Sequence, residues 1–202
     1  MPAGKLVKIG VWENNKFIGC VLYGRGANNN ISKTYNLSNT QVAELVRVAL
    51  NKHIAPVSQI VSIANKILKR TNRGLRLLIS YADPQQKHNG SIYQAMNWIY
   101  VGMPKQTKGA HYIVNGKQMH GRSVRSKWGK ESNIPYKWEY ATNTEKHKYL
   151  YPLDKKMRKQ IEILAKPYPK HMRSSDSRTR ATSLGVTVRL RSDRSSIKVL
   201  QI

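Results

Sequence analysis

The chain is poor in acids, in cysteine and in long apolar runs. Ten Asp and Glu stand against 36 Lys and Arg in 202 residues, for a formal net charge of +26 and a pI near 10.4. So one-sided a charge opposes compaction unless an anionic partner offsets it. Nucleic acid is the usual partner, because neutralised phosphates release counterions and drive binding without regard to base sequence. An anionic membrane is the rival, but no apolar run approaches the length of a spanning helix and no signal or lipidation motif is visible. The single cysteine, Cys20, excludes an internal disulfide and fits a reducing cytosol. It lies in an apolar run without a partner to lower its pKa, so packing accounts for it better than nucleophilic chemistry. There is no P-loop, no G-x-S-x-G, no CxxC pair and no internal repeat. The six histidines (His53, His88, His111, His120, His147, His171) show no metal-ligand spacing, and only His88, near Asp83, is suggestive. The apolar share of 40% is low for a globular domain yet above disordered compositions. The length suits one core with an appendage.

The stretch that organises the rest is Leu75 to Gly102. An apolar run ends at Tyr81-Ala82-Asp83, a polar loop follows through Pro84, His88, Asn89 and Gly90, an aromatic-rich helix carries Tyr93, and a second apolar patch closes at Gly102. The reading is strand, loop, helix, strand, with an acid ending the first strand. Upstream, Leu6 to Tyr23 reads as a β-hairpin turning at Glu13-Asn14-Asn15-Lys16. Gly24 to Asn39 reads as a long loop whose Arg25, Lys33 and glycines could approach phosphates, or else as a flexible surface loop. Gln41 to Leu50 fits both a helical stripe and one face of a strand, and propensity slightly favours helix. Val57 to Arg70 is a clearer helix, with Pro56 at its start and cations at its end.

After Gly102 the chain reads as basic and irregular. His111 to Gln118 suggests a short strand entering an Asn-Gly turn. His120 to Lys130 sets Arg122, Arg125, Lys127 and Lys130 around Trp128 with no acid, a combination suited to phosphates and an exposed base. Asp154 to about Ala165 predicts a helix with Met157, Ile161 and Leu164 inward. From His171 the Ser- and Arg-rich stretch reads as a disordered basic arm.

Each candidate for chemistry has a bland reading beside it. Asp83 follows a buried-looking strand, where open α/β sheets place functional groups, but it also suits a turn before Pro84. Arg47 sits in an apolar decapeptide and must be paired or serve a site, with Glu44 or Asp83 as possible partner. Tyr93, at helical spacing, is as readily a core residue. Tyr35, Trp128 and Trp138 are candidates for stacking on a base, not distinguishable from core aromatics.

The element order resembles the GNAT acyltransferase fold. Tyr93-x-x-x-Asn97-Trp98-x-x-x-Gly102 is similar to that family's Tyr-x-x-x-Gly-Phe-x-x-x-Gly, with Asn97 in place of a glycine. The segments AELVRVAL, LLISYADP, GSIYQAMNWIYVGM and KHKYLYPLD are similar to the Mom proteins of Mu-like phages, over roughly residues 4 to 170. The resemblance implies an α/β fold with a GNAT-like mixed twisted sheet, flanking helices and a basic C-terminal extension. It makes 41–50 a strand. It sets a modification domain at 1–165 and an extension, possibly flexible, at 166–202. It implies an enzyme acting in the host cytoplasm on adenine in double-stranded DNA, making an N6-carbamoylmethyl derivative that shields phage DNA from restriction. The target base would be flipped into the site. Carried over by motif, the catalytic residues are Arg47, Ser58, Asp83 and Tyr93. Tyr93 would be a general acid, Asp83 would orient or deprotonate the adenine amine, and Arg47 would hold an anionic donor or intermediate. A CoA-type acyl donor follows from the fold and iron from the family, but the Gly-rich loop before the helix is replaced by NKHIAPVSQ, which has no glycine. The family's His-Tyr pair lies upstream of the segment matching Pro2-Ala3-Gly4-Lys5, so a metal site using it would be incomplete in a chain beginning at Met1. The alternatives are a non-catalytic basic DNA-binding protein and a conventional CoA-dependent N-acyltransferase.

Overall fold

A computed structural model of the chain describes residues 6–26, 30–86, 88–104, 111–141, 145–169 and 197–201. It is a mixed α/β fold. β1 (Val7–Glu13) and β2 (Lys16–Gly24) form the expected hairpin. Asn14 and Asn15 both take positive φ, 51° and 62°, as a two-residue turn between right-twisted strands requires. β3 (Val42–Leu50) is a strand, which resolves the ambiguity of that decapeptide. α1 (Val57–Thr71) packs Ile60, Val61, Ala64 and Leu68 onto the sheet; burying each of the larger three is worth about 2 kcal/mol. β4 (Leu77–Ala82) then runs parallel to β3. α2 (Ser91–Ala95) and the two-residue β5 (Ile99–Tyr100) follow, so the strand expected to close at Gly102 is shorter than the sequence implied. β5 does not adjoin β4, because β9 lies between them.

The region beyond Gly102 is not irregular. β6 (His111–Val114) and β7 (Lys117–His120) form a second hairpin, turning at Asn115 and Gly116 with φ of 48° and 72°. α3 (Gly121–Trp128) and β8 (Trp138–Tyr140) complete a small unit with the sheet order β7-β6-β8. Its core is Tyr112, Val114, Val124 and Ile134, with Trp128, Trp138 and Tyr140 packed against it. Charge density hid this core, since only alternate positions on short elements are apolar. β9 (His147–Pro152) returns to the main sheet beside β4, and α4 (Lys155–Glu162) buries Met157 and Ile161. Leu164, expected inward, lies past the helix end and is exposed. Much of the proposed basic extension, 170–196, falls outside the described residues, and the chain is described again at β10 (Ile197–Gln201), which pairs with β1. The main sheet has the order β10-β1-β2-β3-β4-β9-β5.

Two apolar layers cover the main sheet. One holds α1 and α2 with Leu45, Leu78, Trp98 and Tyr149. The other holds α4 and the segment after β2, where Ile31, Tyr35 and Leu37 are buried with Val42, Leu77 and Ile79. The flexible-loop reading of residues 30–39 therefore fails: the segment contributes core. Tyr35 is buried in that layer and offers no face for a base.

Asp154 ties this second layer to the sheet. Its carboxylate accepts the Met157 N–H at 2.7 Å, capping α4, and accepts Arg76 Nε and Nη2 at 2.8 and 3.0 Å. The Arg76 bonds hold its carboxyl down at about 2, from an ordinary 3.8. That contribution is present above the unfolded value near 3.8 and is lost as pH falls through about 2. Asp154→Ala is expected to lower unfolding free energy by about 1–3 kcal/mol in urea denaturation at neutral pH. The deficit relative to wild type should shrink as the measurements are taken into acid.

Candidate active site

β3 and β4 share only three rungs, Val42 with Leu77, Ala43 with Leu78 and Glu44 with Ile79. Beyond Glu44, β3 runs on to Leu50 and β4 to Ala82 without pairing to each other. β3 bulges near Val46, where the β2 register shifts between Leu22 and Tyr23. A side chain replaces the missing ladder bond. Ser80 Oγ lies 2.9 Å from the Leu45 carbonyl and 2.8 Å from the Tyr93 hydroxyl. Tyr93 thus stands where the two strands part. Serine has one proton to give: donated to Leu45, it leaves Tyr93 to donate to Ser80; donated to Tyr93, it frees the phenolic proton for a reactant.

Tyr93 is fixed on its other sides by aromatic packing, with ring centroids 5.0 Å from both Trp98 and Tyr149. Burial raises its pKa, the Ser80 bond lowers it in part, and the charge of Glu44 adds to the rise, so the hydroxyl is protonated at neutral pH. Local geometry serves this placement. Gly90, at φ 80°, starts α2 hard against Tyr149, where an added Cβ would meet the ring at 2.3 Å. Asn97 ends the helix at φ 56°, the left-handed conformation expected of the residue standing in for glycine. Behind Tyr93, the buried Tyr23 hydroxyl donates to Asn65 Oδ1 at 2.6 Å. Asn65 Nδ2 and Trp98 Nε1 are buried with no partner among the described residues.

The four carried-over residues occupy different stations. Asp83 follows β4 directly and pairs with Lys146 at 3.1 Å, while its Oδ1 accepts the Gln85 N–H at 3.0 Å. His88 approaches through its backbone, its N–H donating to the Asp83 carbonyl. Arg47 is exposed on β3 past the bulge, and it makes no ion pair among the described residues; the expectation of a buried cation needing a partner is corrected, because Arg47 lies beyond the last rung shared with β4 and faces solvent. Ser58 is the second residue of α1 and half-buried. No hydrogen bond or ion pair joins Arg47, Ser58, Asp83 and Tyr93 to one another among the described residues. Ser80 was missed in the sequence, although a lone serine in the apolar LLISYA was the available signal.

The segment before α1, where a diphosphate would be cradled, is occupied from within. The Glu13 carboxylate, 5% exposed, accepts the N–H groups of Ile54 and Ala55, each at 2.8 Å. Pro56 has no N–H, which leaves Val57 and Ser58 at the helix start. This does not fit the cradle that an acyl-CoA-type donor implies. Among the described residues, no three of His, Cys, Asp and Glu converge on a metal site, so no iron ligands are assigned. Glu13→Ala would strand two amide donors and is expected to destabilise the fold by about 2–4 kcal/mol in chemical denaturation, with Glu13→Gln losing less.

The charges of Lys146 and Asp83 both act on His111, whose ring lies 4.8 Å from that of His120. His120 in turn caps α3, its Nδ1 accepting the Arg122 N–H at 3.0 Å. Burial, aided by neighbouring cations, lowers the pKa of both histidines. The cations Arg122, Arg125, Lys127 and Lys130 on and after α3 are all exposed. Lys127 lies over the half-buried Trp128 ring at 4.7 Å. A groove of about 380 Å³ on this unit is lined by Arg125, Lys130, Glu131 and Tyr112. Arg25 and Lys33, also exposed, lie on the segment after β2.

Residues 1–170 match the model of the Mom protein family. The chain belongs to that family. Membership makes it a phage DNA-modification protein, of a family of DNA-modifying enzymes, with DNA as its partner. A comparison with curated proteins returns no match. No helix among the described residues is long and apolar enough to cross a membrane.

Proposed function

We propose that this member of the Mom family modifies adenine in double-stranded DNA within the host cytoplasm, converting the exocyclic amine to its N6-carbamoylmethyl derivative and so protecting phage DNA from restriction. The observation that carries this reading is the Tyr93 hydroxyl held at the parting of β3 and β4. Replacing one N6 proton with the transferred group requires that proton to leave, and the donor's leaving group must gain one. Asp83 suits the first role, Tyr93 the second. Tyr93 is protonated at neutral pH, as an acid must be before it acts. Arg47, exposed and without an internal partner among the described residues, is free to meet an anionic donor. Ser58, the second residue of α1, offers its hydroxyl and N–H to such an anion. The early departure of β4 from β3 also supports a GNAT-like reading of the sheet.

Arg25, Lys33, Arg122, Arg125, Lys127 and Lys130 are assigned to phosphates, with Trp128 as an aromatic surface beside them. Lys127→Ala is expected to weaken binding evenly across DNA sequences and to reduce the slope of log affinity against log salt by about one, measured by titration at several salt concentrations.

The reading is tested by nucleoside mass spectrometry on DNA from cells expressing the chain. Modified adenine should appear with the wild type and be lost with Asp83→Asn and with Tyr93→Phe. Unmodified DNA together with tight, salt-sensitive binding by the wild-type protein would establish a non-catalytic DNA-binding role instead.

A further inference from the structure

The small sheet has two unlike faces. Tyr112, Val114, Trp138 and Tyr140 look into its core. Strand alternation puts the rung partners Ile113 and Glu139 on the other face. The ladder runs one step further, where the Asn115 N–H donates to the Lys137 carbonyl at 2.9 Å. Lys137 lies two residues before Glu139 and so shares its face. At this corner, where the β6–β7 turn meets the start of β8, there is a cavity of about 280 Å³. Ile113, Asn115, Gly116, Lys137, Trp138 and Glu139 line it. The Trp138 ring packs on Tyr112 and Tyr140, which fixes the strand between the two charged residues. Ile113 is half-buried, while Asn115, Lys137 and Glu139 are exposed. Among the described residues, the side chains of these last three make no hydrogen bond or ion pair.

Glu139 is the anomaly on this face. Between His111 and Ala141 the acids are Glu131 and Glu139. Glu131 is engaged internally by the Tyr112 and Tyr140 hydroxyls. Glu139 points outward on a unit whose other exposed charges are Lys and Arg, and beside DNA it repels phosphate. An ionised carboxylate only accepts hydrogen bonds, so a duplex accommodates it where a donor is on offer. In the major groove that donor is an exocyclic base amine, and the usual partner of Glu is cytosine N4. Lys137 is the complement, because the guanine paired with that cytosine presents O6 and N7, the usual acceptors for Lys. The two side chains leave one strand two residues apart, about 7 Å. Side by side, β6 and β8 have the width of the two-stranded ribbon that the major groove admits. On the same face His111 feels the charge of Asp83, which links this face to the electrostatics of the strand end carrying that carboxylate.

We propose that this corner of the small sheet enters the major groove and reads one G·C pair, with Glu139 accepting from the cytosine amine and Lys137 donating to the guanine. Glu139 is thereby a specificity-determining residue for DNA sequence, a role separate from the phosphate contacts assigned to α3. The proposal needs DNA as the partner and goes beyond the chemistry at adenine, on which it does not depend.

The test uses the purified full chain and a pool of duplexes with a randomised segment, selected by binding at one salt concentration and then sequenced. The wild type is expected to enrich a G·C pair at one position. In titrations it should bind the selected duplex about tenfold tighter or more than the same duplex with A·T at that position. Glu139→Ala should lose the enrichment there, and its affinity for the A·T duplex should hold or rise, because a negative charge has been removed. Lys137→Ala should narrow the preference and weaken binding to both duplexes. Lys127→Ala, a phosphate contact, should keep the full preference while binding both more weakly. All three positions are exposed, so melting temperatures should match the wild type. A wild-type pool without enrichment, an enrichment that survives Glu139→Ala, or the loss in that variant of a pair other than G·C overturns the proposal. So does an equal fall in affinity for both duplexes in Glu139→Ala, which marks a structural role. The reading of adenine modification stands or falls separately, on nucleoside mass spectrometry of DNA from cells expressing the wild-type chain.

Discussion

Strands β3 and β4 run side by side for three rungs and then stop pairing, and the site depends on that interruption. Buried backbone groups do not stay unpaired without compensation. The Ser80 hydroxyl supplies part of it by reaching the Leu45 carbonyl, and it brings Tyr93 with it. The aromatic packing of Tyr93 with Trp98 and Tyr149, the close fit of Gly90 on Tyr149 and the left-handed Asn97 all serve to hold one phenol at one gap.

The acids of this chain are few, and several hold structure or complete the site. Glu13 fills the N–H groups ahead of α1, and Asp154 caps α4 while clamping Arg76. Glu131 accepts from Tyr112 at 2.5 Å and from Tyr140 at 2.7 Å, bracing the small sheet. These internal uses keep negative charge away from the outer surface, where the Lys and Arg excess acts on phosphate over a longer range. The small sheet also connects its cationic helix, through His120 and His111, to the electrostatics of the strand end that carries Asp83.

Much of the main sheet was legible beforehand. The Asn-Asn turn, the amphipathic stripe of α1 and the apolar run ending at Asp83 are local signals, and the structure repeats them with shifts of a residue or two at most ends. The small sheet was not legible, because its elements are short and its apolar positions are separated by lysine and arginine. The segment after β2 misled in the opposite sense: its glycines and asparagines read as loop, while Ile31, Tyr35 and Leu37 are core. Arg47 misled because the apolar neighbours on its strand belong partly to the other face.

Sequence alone determined the β1–β2 hairpin, α1 and β4, the turn residues, the excess of positive charge and therefore the class of partner. These depend on local propensity, side-chain periodicity and summed charge, all of which are written along the chain. The tertiary structure decided which acid serves which purpose. Glu13 meets Ala55 across 42 positions, and Arg76 meets Asp154 across 78. Whether Ser80 and Tyr93 meet the backbone of β3 depends on where β3 and β4 stop pairing. That is a property of two strands and a bulge packed together, so no single segment contains it.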